Sequence, residues 1–82
     1  MAVFFVTFSL GKRKGYLKLL RRLEHCGARR VLPSVWALEE DCTAEWLRDD
    51  LTHYVDEDCR LLVVQAARAV WSGPIVFDPR QL

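Results

Sequence analysis

The sequence is short of the residues on which disulfide scaffolds, zinc sites and membrane anchors are built. Cysteine occurs three times, at Cys26, Cys42 and Cys59. An odd number with no C-x-x-C pair argues against both a disulfide framework and a zinc site, so the three read as reduced thiols, mostly in the core. No apolar run reaches the ~18 residues of a membrane span. The first ten residues lack a charged n-region and a small-residue cleavage site, and the expectation is a cytoplasmic protein. Histidine is equally sparse: His25 and His53 each fall near a predicted helix end, where the helix dipole alone favours them. Ser34 lacks any G-x-S-x-G context and Gly11–Gly15 does not match G-x-x-x-x-G-K-[ST], so neither a nucleophile elbow nor a P-loop is indicated. Internal repeats and low-complexity segments are absent.

What the 82 residues do contain is an ordinary globular composition, 51% hydrophobic and 28% charged, which excludes a disordered chain. One domain of this size buries only about 60% of its unfolded surface, so a partner subunit is the expected supplement to its core. The formal net charge of +1 conceals a strong polarity. Between Gly11 and Arg30 stand Lys12, Arg13, Lys14, Lys18, Arg21, Arg22, Arg29 and Arg30 against the single acid Glu24. Between Glu39 and Asp58 the acids Glu39, Glu40, Asp41, Glu45, Asp49, Asp50, Asp56, Glu57 and Asp58 face Arg48 alone.

Periodicity gives the frame. Ala2–Phe8 is a β-branched and aromatic run with little polar alternation, a strand covered on both faces or at a subunit interface. Tyr16, Leu19, Leu20 and Leu23 fall at helical spacing, and Gly27 stands where a left-handed cap ends the helix. Arg30–Glu40 leans to β but is broken by Pro33, giving two short strands or one bent strand. Thr43 heads a second helix, with Ala44, Leu47, Leu51 and Tyr54 on one stripe and an end near Val55. Cys59–Ala66 reads as a further strand, and Gly73-Pro74 breaks the tail. The order β-α-β-β-α-β predicts an α+β, ferredoxin-like sandwich over residues 1–66, with both helices on one face of an antiparallel sheet. The opposite face would be covered by a second copy, making a homodimer. Residues 67–82 form a tail in which Trp71 and Ile75–Phe77 suit a strand added to the partner's sheet.

The stretch Gly27-Ala28-Arg29-Arg30-Val31-Leu32-Pro33-Ser34-Val35-Trp36 resembles the Gly-x-x-Arg-Val-x-x-Ser-Val-Phe signature of the small CRISPR-associated protein that bridges the spacer-acquisition integrase, with Trp36 in place of Phe. Lys12-Arg13 is similar to the Lys-Arg pair opening that family's first helix. Asp56-Glu57-Asp58-Cys59-Arg60-Leu61 looks like its Asp-x-Asp-Ser-Val-Arg segment. The resemblance covers roughly residues 2 to 66. It implies a ferredoxin-like homodimer in antiviral defense that holds duplex DNA by its phosphates, some members being metal-dependent nucleases. In that family the first strand ends in Tyr-Asp, and the aspartates of a dimer hold a divalent cation; here those positions are Phe8-Ser9. Serine is a poor Mg²⁺ ligand, so the resemblance implies no metal, no cofactor and no catalytic residue for this chain.

The acid clusters Glu39-Glu40-Asp41 and Asp56-Glu57-Asp58 read as solvated turn charge, because consecutive loop acids cannot all address one ion. The basic segment carries more information. Lys12, Arg13 and Lys14 crowd a helix N-terminus, where cations are disfavoured by about 0.3–1 kcal/mol each and a bound phosphate would relieve them. With Lys18, Arg21 or Arg22, His25, Arg29 and Arg30 they make a surface suited to sequence-independent contact with duplex DNA or RNA. The competing account is that the basic and acidic helices neutralise one another across a groove. The leading expectation is therefore a non-catalytic homodimeric bridging protein that binds nucleic acid through Lys12, Arg13, Lys14, Lys18, Arg22, Arg29 and Arg30. One alternative is a Mg²⁺-dependent nuclease similar to the catalytic members or to virulence-associated protein D ribonucleases. A second is an interaction module whose acidic second helix docks a larger protein partner.

Overall fold

The computed structural model describes residues 2–9, 17–55, 57, 59–68, 70 and 72–73. The first element, β1 (Ala2–Ser9), is followed by α1 (Leu17–His25), β2 (Arg29–Leu32), β3 (Val35–Glu40), α2 (Ala44–Thr52) and β4 (Arg60–Ala66). The four strands form one antiparallel sheet in the order β2-β3-β1-β4. The chain is thus a small α+β domain whose first strand lies in the middle of the sheet.

Strand alternation decides which side chains build the core, because successive residues point to opposite faces. Phe4 and Val6 of β1 are fully buried, and their β3 partners Leu38 and Trp36 join them. Leu19 and Leu23 of α1 and Leu47 and Leu51 of α2 complete the same cluster, so both helices cover one side of the sheet. Leu61 and Val63 of β4 pack against its margin. Each fully buried Leu or Phe contributes about 1.5–3 kcal/mol relative to exposure, and these few side chains supply most of the apolar stabilisation.

Local chemistry sets the boundaries. Helix α1 stops at a Schellman turn: the Ala28 amide donates to the Leu23 carbonyl at 2.9 Å and the Gly27 amide to the Glu24 carbonyl at 3.0 Å. Gly27 adopts φ +78°, the left-handed conformation expected of it from sequence. Helix α2 starts at Thr43, whose Oγ1 accepts from the Trp46 amide at 3.0 Å. It ends at Thr52, with the His53 amide donating back to the Asp50 carbonyl, earlier than the Val55 end expected from the apolar stripe. Tyr54 still reaches the core edge from just beyond the helix. Of the two arrangements open for Arg30–Glu40, the chain adopts two strands, with Pro33 and Ser34 in the turn, where the missing proline N–H costs no ladder bond. The register shifts between Arg30 and Leu32.

The expected tail strand over Trp71 and Ile75–Phe77 lies outside the described residues, as does the Lys12-Arg13-Lys14 segment. Among the described residues no helix is long and apolar enough to cross a membrane.

Candidate functional site

The helix layer sorts the basic residues into two groups. Arg22 lies against α2 and is bound there twice: its Nε donates to Asp50 Oδ2 at 3.0 Å and its Nη2 to Asp50 Oδ1 at 3.2 Å. The guanidinium also sits over the Tyr54 ring, 5.4 Å from its centroid. The pair is largely covered, with side-chain exposures of 25% and 17%. The hydrogen bond that Arg22 donates to Asp50 holds the guanidinium above its ordinary pKa. Neutralisation between the basic and acidic helices therefore occurs, through this bidentate contact.

Lys18 and Arg21 remain exposed on α1, and Arg30, the cross-strand partner of Trp36, is exposed on the same helix-bearing side of edge strand β2. Among the described residues the ion pairs are Arg22–Asp50 and the exposed Arg48–Asp49 contact within α2, neither of which engages these three cations. Arg29 is exposed and pairs with Ala37, which places it on the opposite side of the sheet. Sequence-independent phosphate contact needs accessible charge of this kind.

On α2 the exposed side chains include Glu45, Trp46 and Asp49, with Trp46 53% exposed. Trp36, by contrast, is buried in the core; periodicity alone does not separate these two tryptophans. His53 Nδ1 lies 3.3 Å from the Asp50 carbonyl oxygen, a capping position rather than a catalytic one. All three cysteines are half-buried. Burial pushes Cys26 up, against the lowering influence of Arg22, and pushes Cys42 up with help from Glu40 and Asp41. Such thiols are poor nucleophiles near neutrality. Among the described residues no three His, Cys, Asp or Glu side chains gather at one point where they could hold a metal ion.

The side of the sheet facing away from the helices carries Val3, Phe5, Thr7 and Ser9 from β1 and their β4 partners Ala66, Val64, Leu62 and Arg60. Leu62 is 56% and Val64 44% exposed. This face divides along its length into an apolar part around Phe5 and Val64 and a polar end at Ser9 and Arg60. The sequence run from Arg60 to Ala66 signals a strand, but its near-continuous apolar character does not tell which of its side chains, Leu62 and Val64, stand exposed.

Comparison with known proteins finds no matching family, no matching curated protein and no matching solved structure.

Proposed function

We propose that the chain is a non-catalytic nucleic-acid-binding or bridging protein of ferredoxin-like architecture, resembling the CRISPR-adaptation spacer protein and working as a homodimer. The observation that carries the reading is the exposed set Lys18, Arg21 and Arg30, left without acidic partners among the described residues while Arg22 is held by Asp50. Lys12, Arg13 and Lys14 belong to the same proposed surface by sequence. Arg29, exposed on the opposite side of the sheet, stands apart from that surface, and Arg22 acts by fixing α1 against α2. The strand order β2-β3-β1-β4 with both helices on one side supports the ferredoxin-like arrangement. Exposed Leu62 and Val64, beside Phe5, support a second copy against the open face.

Fluorescence anisotropy of a labelled duplex at about 50 and 200 mM salt tests the reading, because phosphate-driven affinity falls steeply over that range. Lys18→Ala, Arg21→Ala and Arg30→Ala together should flatten the logarithmic salt dependence by about three units, roughly one per lost phosphate contact. Absence of wild-type binding at the lower salt refutes it.

A second reading rests on Trp46, an exposed aromatic flanked by Glu45 and Asp49 on α2. It makes this helix the docking face for a protein partner, with the aromatic as its anchor. Trp46→Ala and Asp49→Lys would then abolish partner capture while leaving duplex binding intact. Asp50 is unsuitable for that test because its reversal breaks the contact with Arg22.

A further inference from the structure

We infer that the polar end of the open sheet face, Ser9 with Arg60, is a seat for one phosphate group of a nucleic-acid backbone, an assignment that rests on the phosphate-binding reading above. Ser9 and Arg60 are cross-strand partners, as are Thr7 and Leu62 one step further in, so all four side chains leave the sheet on the same side. Ser9, Arg60 and Leu62 are exposed, and Thr7 is half-buried. Together with Phe8 and Leu61 these residues line an open depression of about 220 Å³ at the end of β1 and the start of β4.

The chemistry of the lining selects an anion. Among the described residues the lining holds one guanidinium and two hydroxyls and no carboxylate. A guanidinium presents a planar fork of donors that matches two phosphate oxygens, and hydroxyls donate to a third. The Arg60 side chain takes no part in the ion pairs among the described residues. Leu62, 56% exposed beside it, offers an apolar surface for a sugar. Of the described acids, exposed Glu57, three residues before Arg60, does not line the depression, and Glu39 of β3 pairs with Val3 at the other end of β1. Six residue steps of strand separate Val3 from Ser9, about 20 Å, well beyond the ~8 Å screening length at physiological salt. The apolar part of the face and its polar end thus serve different occupants: a second copy over Phe5 and Val64, a phosphate at Ser9 and Arg60.

Position 9 governs the sign of the ligand. A carboxylate there would face Arg60 across the strand pair and neutralise it, whereas serine leaves the positive charge open and adds a donor. Ser9→Asp is accordingly the informative variant, because an opposite-charge cross-strand pair preserves the sheet while closing the seat to anions.

The test titrates the full chain with dimethyl phosphate and follows the backbone amides by ¹⁵N–¹H correlation spectra, with the same variants measured in the duplex assay. The expected result is saturable shifts at Thr7, Ser9, Arg60 and Leu62, lost in Arg60→Ala and in Ser9→Asp, with thermal melting showing Ser9→Asp folded. In the duplex assay Arg60→Ala should raise the dissociation constant roughly tenfold and flatten the salt dependence by about one unit. Shifts absent from these amides, or unchanged in Arg60→Ala, overturn the seat. Wild-type duplex binding that Arg60→Ala leaves untouched also overturns it while sparing the wider reading. Local shifts without any duplex binding overturn the nucleic-acid reading and the identity of the ligand together, leaving a seat for a free phosphate ester.

Discussion

Removing Arg22 is expected to loosen the two helices from each other, and the geometry sets the size of the effect. An exposed ion pair contributes about 0–1 kcal/mol, and breaking a buried one costs about 3–5 kcal/mol. The Arg22–Asp50 pair lies between, with two hydrogen bonds of 3.0 and 3.2 Å and side chains 25% and 17% exposed. The Tyr54 ring adds a cation–π contact worth about 0.5–1 kcal/mol. Arg22→Ala should therefore destabilise the fold by about 2 kcal/mol, which at a urea slope near 1 kcal/mol/M lowers the unfolding midpoint by about 2 M. Asp50→Asn keeps one acceptor and should cost about 1 kcal/mol. The decisive quantity is the coupling in the double-mutant cycle of Arg22→Ala with Asp50→Ala, expected at about 1 kcal/mol. That coupling should persist in 0.5 M salt, since a covered pair is screened less than an exposed one. A coupling below about 0.3 kcal/mol would show that the contact does not tie α1 to α2.

Three other outcomes follow from local chemistry. Gly27→Ala meets no neighbouring atom within 4 Å but must hold φ +78°, so chemical denaturation should report a loss of about 1 kcal/mol arising from backbone strain alone. Thr43→Ala removes the acceptor for the Trp46 amide and should cost about 1 kcal/mol, with Thr43→Ser restoring most of it. The half-buried thiols set an alkaline limit: Cys26 and Cys42 hold their protons more tightly in the folded chain, so their contribution is complete below the unfolded thiol value of about 8.5 and is lost as pH rises through the folded values. The fall in urea midpoint between pH 8 and 10 should be smaller in the Cys26→Ser, Cys42→Ser double variant, and an equal fall would exclude the thiols as its source.

Much of the fold is legible in the chain because its signals are local. Leu19 and Leu23 on one helical stripe, Gly27 at the cap, Thr43 at the head of α2 and Pro33 between two strands each act within a few residues, and each stands where its own chemistry requires. The candidate site is less legible for a physical reason. Arg21 and Arg22 are adjacent and equally basic, and only the position of α2 determines that Arg22 turns inward to Asp50 while Arg21 stays in solvent. Ser9 and Arg60 are 51 positions apart in the sequence, and their meeting depends on the β1–β4 register, to which neither residue contributes a local signal. Helix periodicity likewise places Trp46 on α2 without revealing how little of the neighbouring structure reaches it.

The placement of β1 between β3 and β4 also constrains the order in which the domain can assemble. The first strand is made first, yet one of its two long edges stays open until Arg60–Ala66 arrives. Pairing Phe5 with Val64 closes a loop across most of the chain, the kind of distant contact that slows folding. During synthesis Ala2–Ser9 therefore passes through a stage as an apolar strand with an unpaired edge, the stage most exposed to association with other chains. The last strand acts as the closing piece, and any cut between α2 and β4 would hold the protein at that open stage.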